Sequence, residues 1–275
     1  MLTALSLSAL ATNMKIGGGG AYFIISRSLG LEPGAAIGIP LFLAQALGVS
    51  FYTAGFAEAV GWVFPGLPPT TTGIVTLVVL SVLAWSSADL ALKSQFFVMA
   101  AIGLSLVSFF AGGPVTSSGS GNLSEISASP GFWAAFAVFF PAVSGIEAGI
   151  SMSGDLKNPA RALPLGTLAA VTTGLLVYLA IPIHLDAMVQ DKTLLLTRPL
   201  IMRDVARFGG LIILGVWGAS LSSAMGSLLG APRTLQALAR DGVMPGFLGK
   251  GFGKGNNPRI ATLLVFCIAL GGILA

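Results

Sequence analysis

The stretch FFPAVSGIEAGISMSGD, residues 139–155, closes an apolar run that begins near Phe132, and it holds a proline, three glycines and, in its middle, a carboxylate, Glu147. Pro141 has no amide hydrogen to give a helix, and Gly145 and Gly149 weaken the turns beyond it, so the backbone from Ser144 to Ala148 is expected to unwind. Unwound backbone at membrane depth is tolerated only where it is buried in protein or lines an aqueous cavity. In transporters such a break leaves carbonyls free for cations and turns the amides of the next half-helix toward an anion. A Pro-kinked helix with small residues at a packing contact reads equally well from this stretch alone.

Composition sets the environment of that stretch. The 275 residues are 55% hydrophobic and 9% charged, and the mean hydropathy is +0.91. That is too little charge to cover a soluble surface of this size. The chain therefore reads as an all-α polytopic membrane protein, multi-pass in the cell membrane with the lipid bilayer as its surroundings. Its apolar runs are continuous, not alternating, which argues against a β-barrel. Cys267 is the only cysteine, so no disulfide framework exists. The net charge of +4 is spread over loops with no aromatic-laced basic patch, so no nucleic-acid partner is expected.

A spanning helix needs about 20 apolar residues. Residues 1–13 supply about half a span, and a polar loop, MKIGGGGAYFIISRSLGLEPG, follows. Spans are then expected from Gly34 to Phe64, Thr71 to Trp85, Leu90 to Phe110, Phe132 to Ser153, Pro164 to His184, Leu211 to Leu229 and Ile260 to Ala275. If the glycine-rich loop is cytoplasmic, ten of the 14 basic residues lie inside: Lys15, Arg27, Lys93, Lys157, Arg161, Arg233, Arg240, Lys250, Lys254 and Arg259. Lys192, Arg198, Arg203 and Arg207 lie outside, and the bias obeys the positive-inside rule.

In GASLSSAMGSLLGAPR, Ala219, Ser222 and Ser223 stand at positions i, i+3 and i+4, on one face of a helix. A carbonyl and two hydroxyls are hard oxygen ligands suited to a small alkali cation. Membrane serines also bond back to the preceding turn and ease packing, and that is the commoner use.

LSLSALATNMKIGGGGAYFIISRSLG, FYTAGFAEAV, FFPAVSGIEAGISMSGDLKNPARALPLGTL and SLSSAMGSLLGAPRTLQALARDGVMPG together resemble the cation-chloride cotransporter family, in the amino acid-polyamine-organocation superfamily. These motifs stand in the family's order over nearly the whole chain. The resemblance implies a fold of two inverted five-helix repeats whose first and sixth helices are broken at the ion sites. On that pattern residues 1–275 are a single transmembrane transporter domain truncated at both ends, running from mid second helix into the ninth. The first helix, the tenth to twelfth and the cytoplasmic C-terminal domain are then absent. The short outer connections suit a prokaryotic relative.

The same resemblance assigns residues. For potassium it implies Tyr52, Pro141 and Ser144, the serine standing where the family has a threonine. Tyr52 matches the third-helix tyrosine, a position that is histidine in sodium-chloride members. For chloride it implies the backbone amides of Gly145, Ile146 and Glu147. For sodium it implies Ala219, Ser222 and Ser223, a serine pair that the potassium-chloride branch lacks. The expected activity of the full-length parent is thus secondary active symport of sodium and/or potassium with chloride, the serine pair and Tyr52 pointing to the sodium-potassium-chloride type. It is not an enzyme and needs no cofactor beyond the transported ions, and the resemblance admits a homodimer.

Glu147 departs from this pattern, because the family carries an apolar residue there and an ionised carboxylate repels an anion. A charge at the bilayer centre costs about 2.5–3.5 kcal/mol on insertion scales, so it calls for a role or a partner. Three arrangements accommodate it: the side chain turned to a polar neighbour with its amide left to chloride, a protonated carboxyl, or a carboxylate binding a cation or amine. Gly145-Ile146-Glu147 also resembles the Gly-apolar-Glu break of amino acid permeases, so amino acid or amine transport is the second reading. A non-transporting gene fragment is the third. His184 is expected at the membrane interface, Glu58 in a structural or vestibular place, and Asp155, Lys157 and Arg161 in an inner loop network or a solvated one.

Overall fold

The computed structural model describes residues 1–13, 18–86, 88–115, 131–139, 145, 150, 158–191, 193–198, 200–253 and 256–275. Eleven α-helices run through these residues. They are α1 (Leu2–Asn13), α2 (Gly20–Leu29), α3 (Leu31–Gly61), α4 (Pro69–Ser86), α5 (Ala88–Phe110), α6 (Phe132–Phe139), α7 (Pro159–Met188), α8 (Leu194–Thr197), α9 (Ile201–Val205), α10 (Gly209–Arg240) and α11 (Arg259–Leu274). Among the described residues, Leu31–Gly61, Lys93–Phe110, Ala160–Met188 and Gly209–Arg240 are long and apolar enough to cross a membrane, and Pro69–Trp85 and Arg259–Leu274 are shorter apolar helices.

Proline sets several of these starts. Pro69 and Pro159 occupy the first helical position, where the missing amide costs nothing, and Pro258 stands just before α11. Gly30, at φ 103°, separates α2 from α3 in a conformation that L side chains rarely adopt.

The chain divides into two compact units. One gathers residues 1–97, 145–171 and 219–275. In its core Phe42, Ala46 and Val49 of α3 join Leu77 and Leu80 of α4, Leu228 and Leu235 of α10, and Val265 of α11. Small residues permit the close approaches: a Cβ at Gly272 would lie 2.5 Å from Ser50 Oγ. The other unit gathers residues 98–144 and 172–218. Phe109, Val189, Leu194, Ile201, Val205 and Ile212 form its core, and Gly113 N–H donates to the Val205 carbonyl at 3.1 Å.

Two expectations need correction. The polar loop between the first half-span and Gly34 contains α2, with Tyr22 fully buried and Ile24 nearly so. Its ten residues make too short a helix to persist alone, and tertiary burial of Tyr22 and Ile24 holds it. The span expected to end at Leu229 continues to Arg240. Pro232 does not stop it, and beyond the proline Leu235 and Leu238 are both fully buried.

Candidate functional site

Helices α3 and α10 touch in an antiparallel register. A Cβ at Gly38 would lie 3.0 Å from Leu238 Cδ2, and one at Gly48 would lie 3.5 Å from Ser227 Oγ and 3.6 Å from the Tyr52 ring. Rising numbers on α3 thus meet falling numbers on α10. One turn further along that register, Tyr52 comes level with Ser223.

On α10, Ala219 and Ser223 are exposed and Ser222 is half-buried. The Ser222 hydroxyl donates to Oε1 of Gln95, a half-buried residue of α5. Other membrane hydroxyls here do something different: Ser8 bonds back to Ala4, Ser50 to Leu47, Thr53 to Val49 and Thr76 to Thr72. A hydroxyl bonded back to its own helix competes for a carbonyl. One that sends its hydrogen across to Gln95 leaves its lone pairs and the neighbouring carbonyls for another acceptor of electrons, such as a cation. Gln95 was not among the expected site residues. An uncharged amide within an apolar span, two residues past Lys93, was the available signal.

At the proposed break, Gly145 takes φ +111°, outside any right-handed helix, and nothing lies within 4 Å of where its Cβ would be. Helix α6 is described as far as Phe139, and Ile150 is helical. Pro141, Ser144, Ile146 and Glu147 lie outside the described residues, as do Asp155 and Lys157 of the expected inner network.

The C-terminal end of α10 carries a different link. Tyr22 Oη donates to Asp241 Oδ2 at 2.8 Å, and Arg27 Nη2 reaches Asp241 Oδ1 at 2.8 Å. The Arg27 guanidinium also lies over the Phe23 ring, 5.1 Å from its centroid. Burial opposes the charge on Asp241, but the bonds from Arg27 and Tyr22 outweigh it and hold the carboxyl below its ordinary value of 3.8. Burial, with the bond to Asp241, pushes Tyr22 up to about 12. A depressed carboxyl contributes stability above its unfolded value and loses it as pH falls through the lowered one; a raised phenol contributes below 10.0 and loses it as pH rises through about 12. The melting difference between the protein and Asp241→Asn is therefore expected to be constant through neutral pH and to vanish in acid below the ordinary carboxyl range. A difference that persists unchanged there would contradict this link.

A ring nitrogen of His184 lies 3.2 Å from the Phe109 carbonyl oxygen, and the rings of Phe109 and Phe110 meet it edge-on. Glu58, near the C-terminal end of α3, is exposed.

Over residues 1–275 the chain matches the family model described as amino acid permease. It is 33% identical to solute carrier family 12 member 1 of Mus musculus, an alignment covering 99% of this chain and 31% of that protein. It is 34% identical to solute carrier family 12 member 2 of Homo sapiens, over 99% of this chain and 28% of the relative. With solute carrier family 12 member 3 of Mus musculus it shares 32% identity, over 99% and 34% respectively. The chain thus spans about a third of the length of these curated relatives.

Proposed function

The chain belongs to the amino acid permease family, and from that premise we propose that it is part of a secondary active symporter that moves sodium and potassium together with chloride. What supports this reading is the α3–α10 packing, with Gly48 beside both Ser227 and the Tyr52 ring, and the Ser222 hydroxyl turned to Gln95. In this proposal Ala219, Ser222 and Ser223 bind sodium. Tyr52, Pro141 and Ser144 bind potassium, and the amides of Gly145, Ile146 and Glu147 face chloride. Gradients of the ions themselves drive the cycle, and binding both cations with two chlorides would leave it without net charge. The similarity to solute carrier family 12 members supports an ion rather than an amino acid as cargo.

The family description and the Gly145-Ile146-Glu147 sequence support the second reading, amino acid or amine transport. Cells producing the full-length protein separate the two. Symport of ions is expected to give rubidium uptake that a labelled amino acid mixture does not inhibit, with no uptake of the label. Amino acid uptake that falls in Glu147→Gln, while rubidium does not accumulate, would replace the ion reading with the second one. Pairing of two copies belongs to the same proposal, and cross-linking in the membrane tests it.

A further inference from the structure

Ser227 of α10 is only 8% exposed, yet among the described residues its hydroxyl has no hydrogen-bond partner. Other helical hydroxyls spend their hydrogen on their own helix: Ser8 on Ala4, Ser50 on Leu47, Thr53 on Val49 and Thr76 on Thr72. A buried polar group left without a partner is uncommon in a native protein and calls for an explanation. The Ser227 oxygen is aimed at α3. Gly48 of that helix has no side chain, and where a Cβ would stand the nearest atoms are Ser227 Oγ at 3.5 Å and Tyr52 Cε2 at 3.6 Å. The hydroxyl and the edge of the phenol ring thus flank one point, and glycine keeps that point clear.

The chemistry of this point is narrow. Ser227 offers a neutral hard oxygen, and Tyr52 offers a phenol oxygen and a ring that attracts cations. Among the described residues no carboxylate lies within 4 Å of the Gly48 Cβ position, so a divalent ion would find too few ligands to replace its water. A large monovalent cation, potassium or its substitute rubidium, suits neutral oxygens beside a ring. With the cation on its lone pairs, the Ser227 hydroxyl can turn its hydrogen to the Ser223 carbonyl four residues back, as Ser8 does to Ala4. Both halves of the hydroxyl are then satisfied. The same four-residue step puts Ser227 on the face of α10 that carries Ser223, one turn along.

We propose that Ser227 is an oxygen ligand of the potassium ion that Tyr52 takes, and that Gly48 is the residue that leaves room for the ion between them. The proposal rests on the ion reading above. It adds two residues to the expected set, and their effects fall on potassium and not on sodium.

Two variants of the full-length protein in liposomes separate a ligand from a packing contact. Ser227→Cys keeps the size of the side chain and replaces the hard oxygen by soft sulfur. It is expected to raise the half-maximal rubidium concentration for uptake by on the order of tenfold, which is about 1.4 kcal/mol, and to leave the half-maximal sodium concentration in place. Gly48→Ala puts a methyl group at the point itself, at the ordinary contact distances of 3.5 and 3.6 Å. Its melting midpoint in detergent without rubidium is expected to be unchanged or higher, since alanine is the better helix former. Its half-maximal rubidium concentration is expected to rise at least as much as in Ser227→Cys, and rubidium chloride is expected to raise its midpoint less than that of the parent. Gly55→Ala, the same change where nothing lies within 4 Å, is expected to leave both rubidium readings alone. An unchanged half-maximal rubidium concentration in Ser227→Cys, with uptake otherwise normal, would make the point a packing contact or a water site and overturn the proposal while the ion reading stands. An equal shift of the sodium value would mark a general distortion and overturn it too. Absence of rubidium uptake by the parent would overturn both.

Discussion

Replacing Ser222 and Ser223 together by alanine is expected to raise the sodium concentration for half-maximal rubidium uptake by about 100-fold or more, while the half-maximal rubidium concentration moves little. Polar contacts to a charge contribute about 1.5–3 kcal/mol each, and tenfold in affinity is about 1.4 kcal/mol, so two hydroxyls account for at least that change. The selectivity of the effect is the informative part. A general packing defect would lower the number of working transporters and leave both half-maximal concentrations alone. Gln95→Leu is expected to shift the sodium value in the same direction by a smaller factor, because the Ser222 hydroxyl then turns back to its own helix and engages a carbonyl. Unchanged sodium dependence in the double alanine variant, with normal surface expression, would remove sodium from this face of α10.

The second large effect concerns folding. A Cβ at Gly38 would sit 2.5 Å from Tyr22 Cδ2 and 3.0 Å from Leu238 Cδ2. Tyr22 is fully buried and its hydroxyl is committed to Asp241, so the ring cannot swing aside without breaking that bond. Gly38→Ala is therefore expected to destabilise the protein by about 1–3 kcal/mol, and Gly38→Leu by more, both read as a lower melting midpoint in detergent. Gly55 lies on the same helix with nothing within 4 Å of a Cβ, and Gly55→Ala is expected to be neutral or slightly stabilising. Equal melting of the Gly38 and Gly55 variants would show that α2 is not held against α3 as described.

What could be read from the sequence, and what could not, follows from the range of the interactions. Long apolar runs bounded by prolines place α4, α7 and α11 to within a few residues, because both signals are local. Helix α2 escapes such a reading: three glycines precede it, a fourth opens it, and its ten residues are stabilised by burial of Tyr22, a contact with α3 and with Asp241 more than 200 residues away. The i, i+3, i+4 spacing put Ala219, Ser222 and Ser223 on one face, yet Ser222 turns aside to Gln95 while Ala219 and Ser223 stay exposed. Only the register between α5 and α10 brings that amide within reach, and no spacing along the chain encodes it. The same limit applies to the link between Arg27 and Asp241, since each reads as an ordinary loop charge until the helix ends meet.

The central claim is that both cations move only with chloride, and replacing the ions one at a time measures it most directly. Full-length protein in liposomes is assayed for rubidium uptake with sodium replaced by N-methylglucamine and, separately, with chloride replaced by gluconate. The expected result is loss of uptake in each case and recovery when the missing ion returns. Uptake that continues undiminished without chloride would contradict the proposal.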